Sequence, residues 1–253
     1  MNKNSITTNK CIIKILVLCV LTGVFNGKVF AQDGQTLLER MDEVMYAAED
    51  QYSEVSMTLT DQDGSERLRE ANVWQKGTEH RLFRFTAPAD EAGIAFLSLP
   101  DDVMYMYMPA YGRERRIASH VKTQSFAGTD FTYEDLEAGN YADRYSAELL
   151  EETENHFVLE LEPLPDRTSD YSHITTYLNK DHYYPEKMEF YDRGGQEYKV
   201  ADYTFERKDN YWYSSEIYMK DLQRDHSTRM AFEEVEFDTE MDDQIFTVRN
   251  LIR

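Results

Sequence analysis

From Tyr52 onward apolar residues recur at every second position, and turn residues break the alternation at short intervals. That pattern commits most of the chain to consecutive strands, because successive side chains of a strand point to opposite faces of a sheet. Val55, Met57 and Leu59 alternate with polar neighbours, Asp63-Gly64 marks a turn, and Leu68 to Gln75 opens a second strand. Lys76-Gly77 turns again into residues 81–85, and two further apolar runs, Ile94 to Leu99 and Val103 to Met108, flank Pro100-Asp101-Asp102. Five strands joined this closely make an antiparallel meander. Alternation fails between Pro109 and Asp143, which reads as a loop with short helices. It resumes in seven runs at about 146–152, 156–162, 173–179, 184–191, 197–207, 211–220 and 227–237.

Ahead of the strands, residues 36–48 place Leu37, Leu38, Met41, Val44, Met45 and Ala48 at three-and-four spacing, the apolar stripe of one amphipathic helix. No repeat of fixed period and no low-complexity linker separates the halves. The expectation is therefore a mainly β fold, with about eleven to twelve strands in one strongly curved antiparallel sheet, closed or half-open as a barrel. The helix and the 109–143 stretch would cover its open side.

The first 31 residues differ from the rest. Lys3 and Lys10 precede an apolar run from Cys11 to Phe25, and Val29-Phe30-Ala31 offers a small residue for cleavage, the form of a signal peptide cut after Ala31. The run is broken by Lys14 and is too short to span a bilayer. Neither cysteine has the small preceding residue a lipid anchor needs, so residues 32–253 are expected to form one unanchored domain. Both cysteines, Cys11 and Cys19, lie in the removed segment, which leaves no disulfide framework and no thiol ligand. Residues 32–253 then hold 23 bases against 48 acids, a net charge of −25. Such a surface repels phosphate backbones and argues against nucleic acid as a partner.

Period two in Val103-Met104-Tyr105-Met106-Tyr107-Met108 puts three methionines on one face and two tyrosines on the other. Methionine is flexible and polarizable and suits a wall that fits varied apolar guests. With Phe83, Phe85, Ile94 and Phe96 the concave face becomes an apolar trough, open to two readings: a filled barrel interior or a ligand cavity. Arg113, Arg115, Arg116, His120 and Lys122 form the main basic cluster in an acidic chain, suited either to phosphate and acidic partners or to a solvated strand edge paired with neighbouring carboxylates. Asp130, Glu134 and Asp135 could hold calcium, but lack EF-hand spacing, and capping by Thr132 or Asp130 explains them more simply. No metal site is expected. The six histidines are dispersed, and the chain carries no G-x-S-x-G elbow and no phosphate-cradling glycine loop, so nothing points to an enzyme or a cofactor.

The strings FRFTAPADEAGIAFLSL, YMYMPAYGRERRI and SFAGTDFTYEDLE, at residues 83–99, 105–117 and 125–137, together resemble the outer-membrane lipoprotein-sorting branch of the LolA/LolB-like superfamily. The resemblance implies a half-open antiparallel β-barrel with helices plugging its mouth, and a periplasmic protein that shields acyl chains from water. It tips the trough toward a cavity. On this basis Phe83, Phe85, Phe96, Met104, Met106 and Met108 are expected to line the cavity, with Phe126 and Phe131 on the lid. Arg113, Arg115 and Arg116 would stand at the rim, available to a headgroup or a partner. The implied partners are acyl chains of a lipid or lipoprotein, an inner-membrane transporter as donor and an outer-membrane acceptor, with the carrier a monomer. The alternative is a non-enzymatic accessory protein that docks on an envelope lipid or RND-type transporter without carrying cargo.

Overall fold

The computed structural model describes residues 33–252, and Gln32–Arg253 make one compact unit. The expected signal peptide and its cleavage site lie outside the described residues. Helix α1 (Gly34–Met45) is followed by β1 (Asp50–Thr60), β2 (Glu66–Lys76), β3 (His80–Ala87), β4 (Ala95–Leu99), β5 (Val103–Met108) and β6 (Arg113–Arg116). The second half supplies β7 (Tyr145–Glu152), β8 (His156–Pro163), β9 (Tyr171–Asn179), β10 (Pro185–Asp192), β11 (Glu197–Lys208), β12 (Tyr211–Asp221), β13 (His226–Phe237) and the short helix α2 (Val248–Leu251).

All 13 strands join one sheet in the order β6-β5-β4-β3-β2-β1-β13-β12-β11-β10-β9-β8-β7. Two meanders are thus fused where β1 pairs antiparallel with β13, Met57 opposite Met230 and Leu59 opposite Thr228. Register shifts in β1/β13, β7/β8 and β11/β12 bend the strands and curve the sheet. The sheet stays unclosed, an open barrel, with β6 and β7 as its free edges. One strand more than counted is present: Arg113–Arg116, inside the stretch expected to be a loop, pairs with β5 after Gly112 turns the chain at φ 62, which is the solvated strand edge that was one of the two readings of the basic cluster. Its four residues are all charged, so no alternation betrays it.

Because β6 and β7 are neighbours in sequence but lie at opposite edges, residues 117–144 must cross the sheet. They do so on the concave side, where Phe126, Phe131, Tyr133 and Leu136 join the main apolar core with Leu37, Leu38 and Met41 of α1. The helix is capped at its start by Asp33, whose side chain accepts from Gln35 N, and ends at Met45, three residues before the stripe suggested, with Tyr46 as its C-cap. Its close seat on β7 requires Gly34, since a Cβ there would lie 2.6 Å from the Ala147 carbonyl oxygen.

The convex face of β3–β5 is covered too. Met241, Phe246 and Leu251 pack on Leu82, Ala95 and Leu97, with Tyr105 and Tyr107 alongside. Asp50 holds this C-terminal segment through Thr239 N (2.7 Å) and Met241 N (2.8 Å), and Arg84 donates to the Asn250 carbonyl (2.6 Å). The methionine face of β5 therefore points to the concave core and the tyrosine face to the C-terminal segment.

Candidate functional site

The crossing segment divides the concavity in two. Over β3–β5 it fills the space: the Phe126 ring lies 5.3 Å from Phe83, 5.6 Å from Phe85, 5.8 Å from Phe96 and 5.6 Å from Tyr133, centroid to centroid. Such edge and offset contacts add to plain area burial. Toward β11–β13 the segment leaves a cavity of about 150 Å³, walled by Phe83, Phe131, Phe190, Tyr203, Phe205, Trp212, Ile217, Met219, Met230 and Phe232. Met45 and Tyr46 border it from the end of α1.

Of the eight residues expected to contact a guest, Phe83 and Phe131 line this cavity. Phe85, Phe96, Met104 and Phe126 are buried in the packed core beside it, Met106 is partly buried against that core and faces the Tyr133 hydroxyl at 3.0 Å, and Met108 is half-exposed near the β6 edge. The aromatic wall from β11 and β12 escaped notice in the sequence. Its period-two signal was present in Tyr203-Phe205 and Trp212, but which strands would face the gap depended on the order of the sheet.

Polar groups gather at one end. Register carries Gln51, Gln75, Arg81 and Ser98 across β1–β4 in one row, followed by the row Ser53, Val73, Phe83 and Phe96 and then Val55, Ala71 and Phe85. The inner face thus passes from polar to apolar in a single step along the strands. Arg81 donates to Gln75 Oε1 (2.6 Å) and to the Leu136 carbonyl of the crossing segment (3.3 Å). Arg144, buried, donates to the carbonyls of Glu134 (3.4 Å), Gly139 (3.3 Å) and Asn140 (3.3 Å) and stacks over Tyr141 at 4.7 Å. Burial pushes the Glu137 carboxyl up to about 7, aided by the neighbouring Asp102 carboxyl and in spite of Lys122 at 3.2 Å. Burial likewise lifts Asp42 to about 6, although it accepts from Tyr141 N and Ala142 N.

The acidic trio read as cap or calcium site ties the crossing segment down. Asp130 accepts from His226 Nδ1 (2.6 Å), Thr228 Oγ1 (2.6 Å) and Arg224 Nη2 (2.9 Å). Asp135 accepts from Lys199 Nζ (2.8 Å) and the Tyr171 hydroxyl (2.6 Å), and exchanges bonds with Thr132 as a local cap. Glu134 accepts from the Tyr145 hydroxyl (3.1 Å). Among the described residues no group of three or more His, Cys, Asp or Glu is placed to hold a metal ion. Arg113, Arg115 and Arg116 are exposed on the free β6 edge, with Arg115 over the Tyr111 ring at 4.8 Å. Lys122, from the same basic run, is buried instead.

A family model described as an uncharacterized protein matches residues 77–253. No curated protein matches. Among solved structures, a DUF1329 family protein from Desulfovibrio piger is 25% identical, with a TM-score of 0.81 over 86% of this chain and 97% of that one. An outer membrane lipoprotein-sorting protein domain from Vibrio parahaemolyticus is 29% identical, with a TM-score of 0.79 over 87% and 98%. A LolA superfamily protein from Nitrosomonas europaea, 24% identical over 85% and 97%, shares the fold with a TM-score of 0.72.

Proposed function

The chain belongs to the family whose model it matches over residues 77–253, and its fold is LolA-like; from that premise we propose that it is a non-enzymatic periplasmic carrier of acyl chains, exported through a cleaved signal peptide. The observation that supports this most is the apolar cavity held between an unclosed sheet and a crossing segment that side chains, not covalent bonds, fasten in place. Moving an acyl chain through water exposes methylenes at about 0.8 kcal/mol each, so a chain of about fifteen costs on the order of 12 kcal/mol. A covered apolar wall removes most of that penalty.

Size sets the next condition. A cavity of about 150 Å³ is of the order that takes one small aromatic molecule, too small for a long acyl chain. The carrier therefore loads by displacing residues 117–144. Withdrawal of Phe126 and Phe131 joins the cavity to the floor formed by Phe83, Phe85, Phe96 and Met104, with Met106 and Met108 toward the β6 side, and the whole set becomes the acyl-binding wall. Arg113, Arg115 and Arg116 at the free edge serve a headgroup or a membrane partner, an inner-membrane donor or an outer-membrane acceptor.

The test is mass spectrometry of organic extracts from gently purified protein. Lipid or lipoprotein acyl chains at near one-to-one ratio are expected, and Met106→Asp should deplete them while leaving the circular dichroism spectrum unchanged. Protein free of lipid that retains a transporter in pull-down would establish the accessory reading instead, which the dense packing around Phe126 favours.

A further inference from the structure

The charged groups of the cavity are not evenly matched. Its wall carboxylates already have ammonium partners: Asp135 has Lys199 at 2.8 Å and Glu137 has Lys122 at 3.2 Å. Its two guanidinium groups have no direct one: among the described residues, no carboxylate lies within ion-pair distance of Arg81 or Arg144, which bond to carbonyls, the Gln75 amide and tyrosine rings, and Glu137 and Asp42 act on Arg144 only from farther off. Leaving a guanidinium without a counter-charge in a poorly solvated wall is costly, and the planar fork of arginine matches carboxylate and phosphate oxygens in geometry. Both grip the same short stretch, Arg81 at Leu136 and Arg144 at Glu134, Gly139 and Asn140.

Their position along the strands matters as much as their charge. Arg81 belongs to the polar row Gln51–Gln75–Arg81–Ser98, and the next rows inward are apolar apart from Ser53. Gln51, Gln75 and Trp212 are shared between the cavity and the adjoining cleft beside Met45, Tyr46 and Phe237, so the polar row lies on the side of that cleft. Phe131, Phe190, Met219 and Met230 form the apolar remainder.

We propose that the cavity takes an amphiphile tail first and holds its anionic head, a carboxylate or a phosphate, between Arg81 and Arg144. The proposal rests on the carrier reading and specifies its ligand. A net charge of −21 on the whole chain makes the choice informative, since only a localised cationic site overcomes the general repulsion of anions.

Calorimetric titration of the intact protein at pH 8 with octanoate, octyl phosphate and 1-octanol tests it, the short eight-carbon tail asking less displacement of residues 117–144 than a full acyl chain. The expected result is that at least one anionic amphiphile binds tenfold or more tighter than octanol. Preference for octanoate would identify a fatty-acid-type head, and preference for octyl phosphate a phospholipid-type head. Arg81→Gln should cut the anionic preference below threefold, and Arg81→Lys, which keeps the charge but loses the fork, should retain only part of it. Equal affinity for octanol and the anions overturns the anionic head and leaves the carrier reading standing, whereas failure of all three to bind overturns both.

Discussion

Phe126 is the side chain on which the crossing segment turns. It is fully buried and touches four aromatic rings from β3, β4 and its own segment, which explains why the space over β3–β5 is core. Phe126→Ala should cost about 3–5 kcal/mol in urea unfolding. Lys199, 2% exposed, carries the other anchorage, bonding Asp135, the Tyr171 hydroxyl and the Asp130 carbonyl. Glu137 adds a pH dependence whose sign follows from its raised carboxyl at about 7 against an ordinary 4.5. The folded state favours the proton, so this contribution is fully present below about pH 4.5 and is lost as pH rises through about 7. Its full size is of order 3 kcal/mol. Urea unfolding at pH 5 and pH 8 should show wild type losing stability relative to Glu137→Gln across that window, and parallel curves for the two would refute the assignment.

Two elements act as covers, and each is held through a buried carboxylate, one belonging to the cover itself and the other to the sheet. On the concave side Asp130 reaches His226, Thr228 and Arg224. Asp130→Ala should raise amide hydrogen exchange across residues 124–144 at least tenfold while the β1/β13 amides stay protected, because it frees the segment without touching the ladder. On the convex side Asp50, Lys76 and Arg84 hold residues 239–250. Met241, Phe246 and Leu251 each bury a side chain worth about 1.5–3 kcal/mol. Truncation after Glu240 therefore removes on the order of 4–9 kcal/mol, comparable to the whole stability of an ordinary domain. The expected readout is dye binding to exposed apolar surface and a broadened thermal transition, against a sharp wild-type one.

At the scale of the whole molecule, charge and sheet order govern behaviour. A strongly acidic chain repels itself, so raising salt from about 0.01 M to 0.15 M, which shortens the screening length from about 30 Å to about 8 Å, should raise the melting temperature by several degrees. An unchanged or falling value would mean that local ion pairs, rather than net repulsion, dominate the electrostatics. The strands, the helix over Leu37 to Met45 and the inward face of Met104 were legible in the amino-acid pattern, since period and turn residues are local and each residue carries its own polarity. The β6 strand was legible only as one of two readings of the basic cluster, because Arg113–Arg116 has no apolar member to mark a face. Nor was the cavity wall of Phe205, Trp212 and Phe232, nor the seating of Phe126 among Phe83, Phe85 and Phe96. Those features depend on β1 pairing with β13 and on residues 117–144 having to travel from one free edge to the other. Sequence alone determined which residues alternate and therefore that a curved, greasy-faced sheet would form; the tertiary structure decided which part of that face is packed solid and which stays hollow, because filling is a property of residues far apart in the chain meeting in one volume.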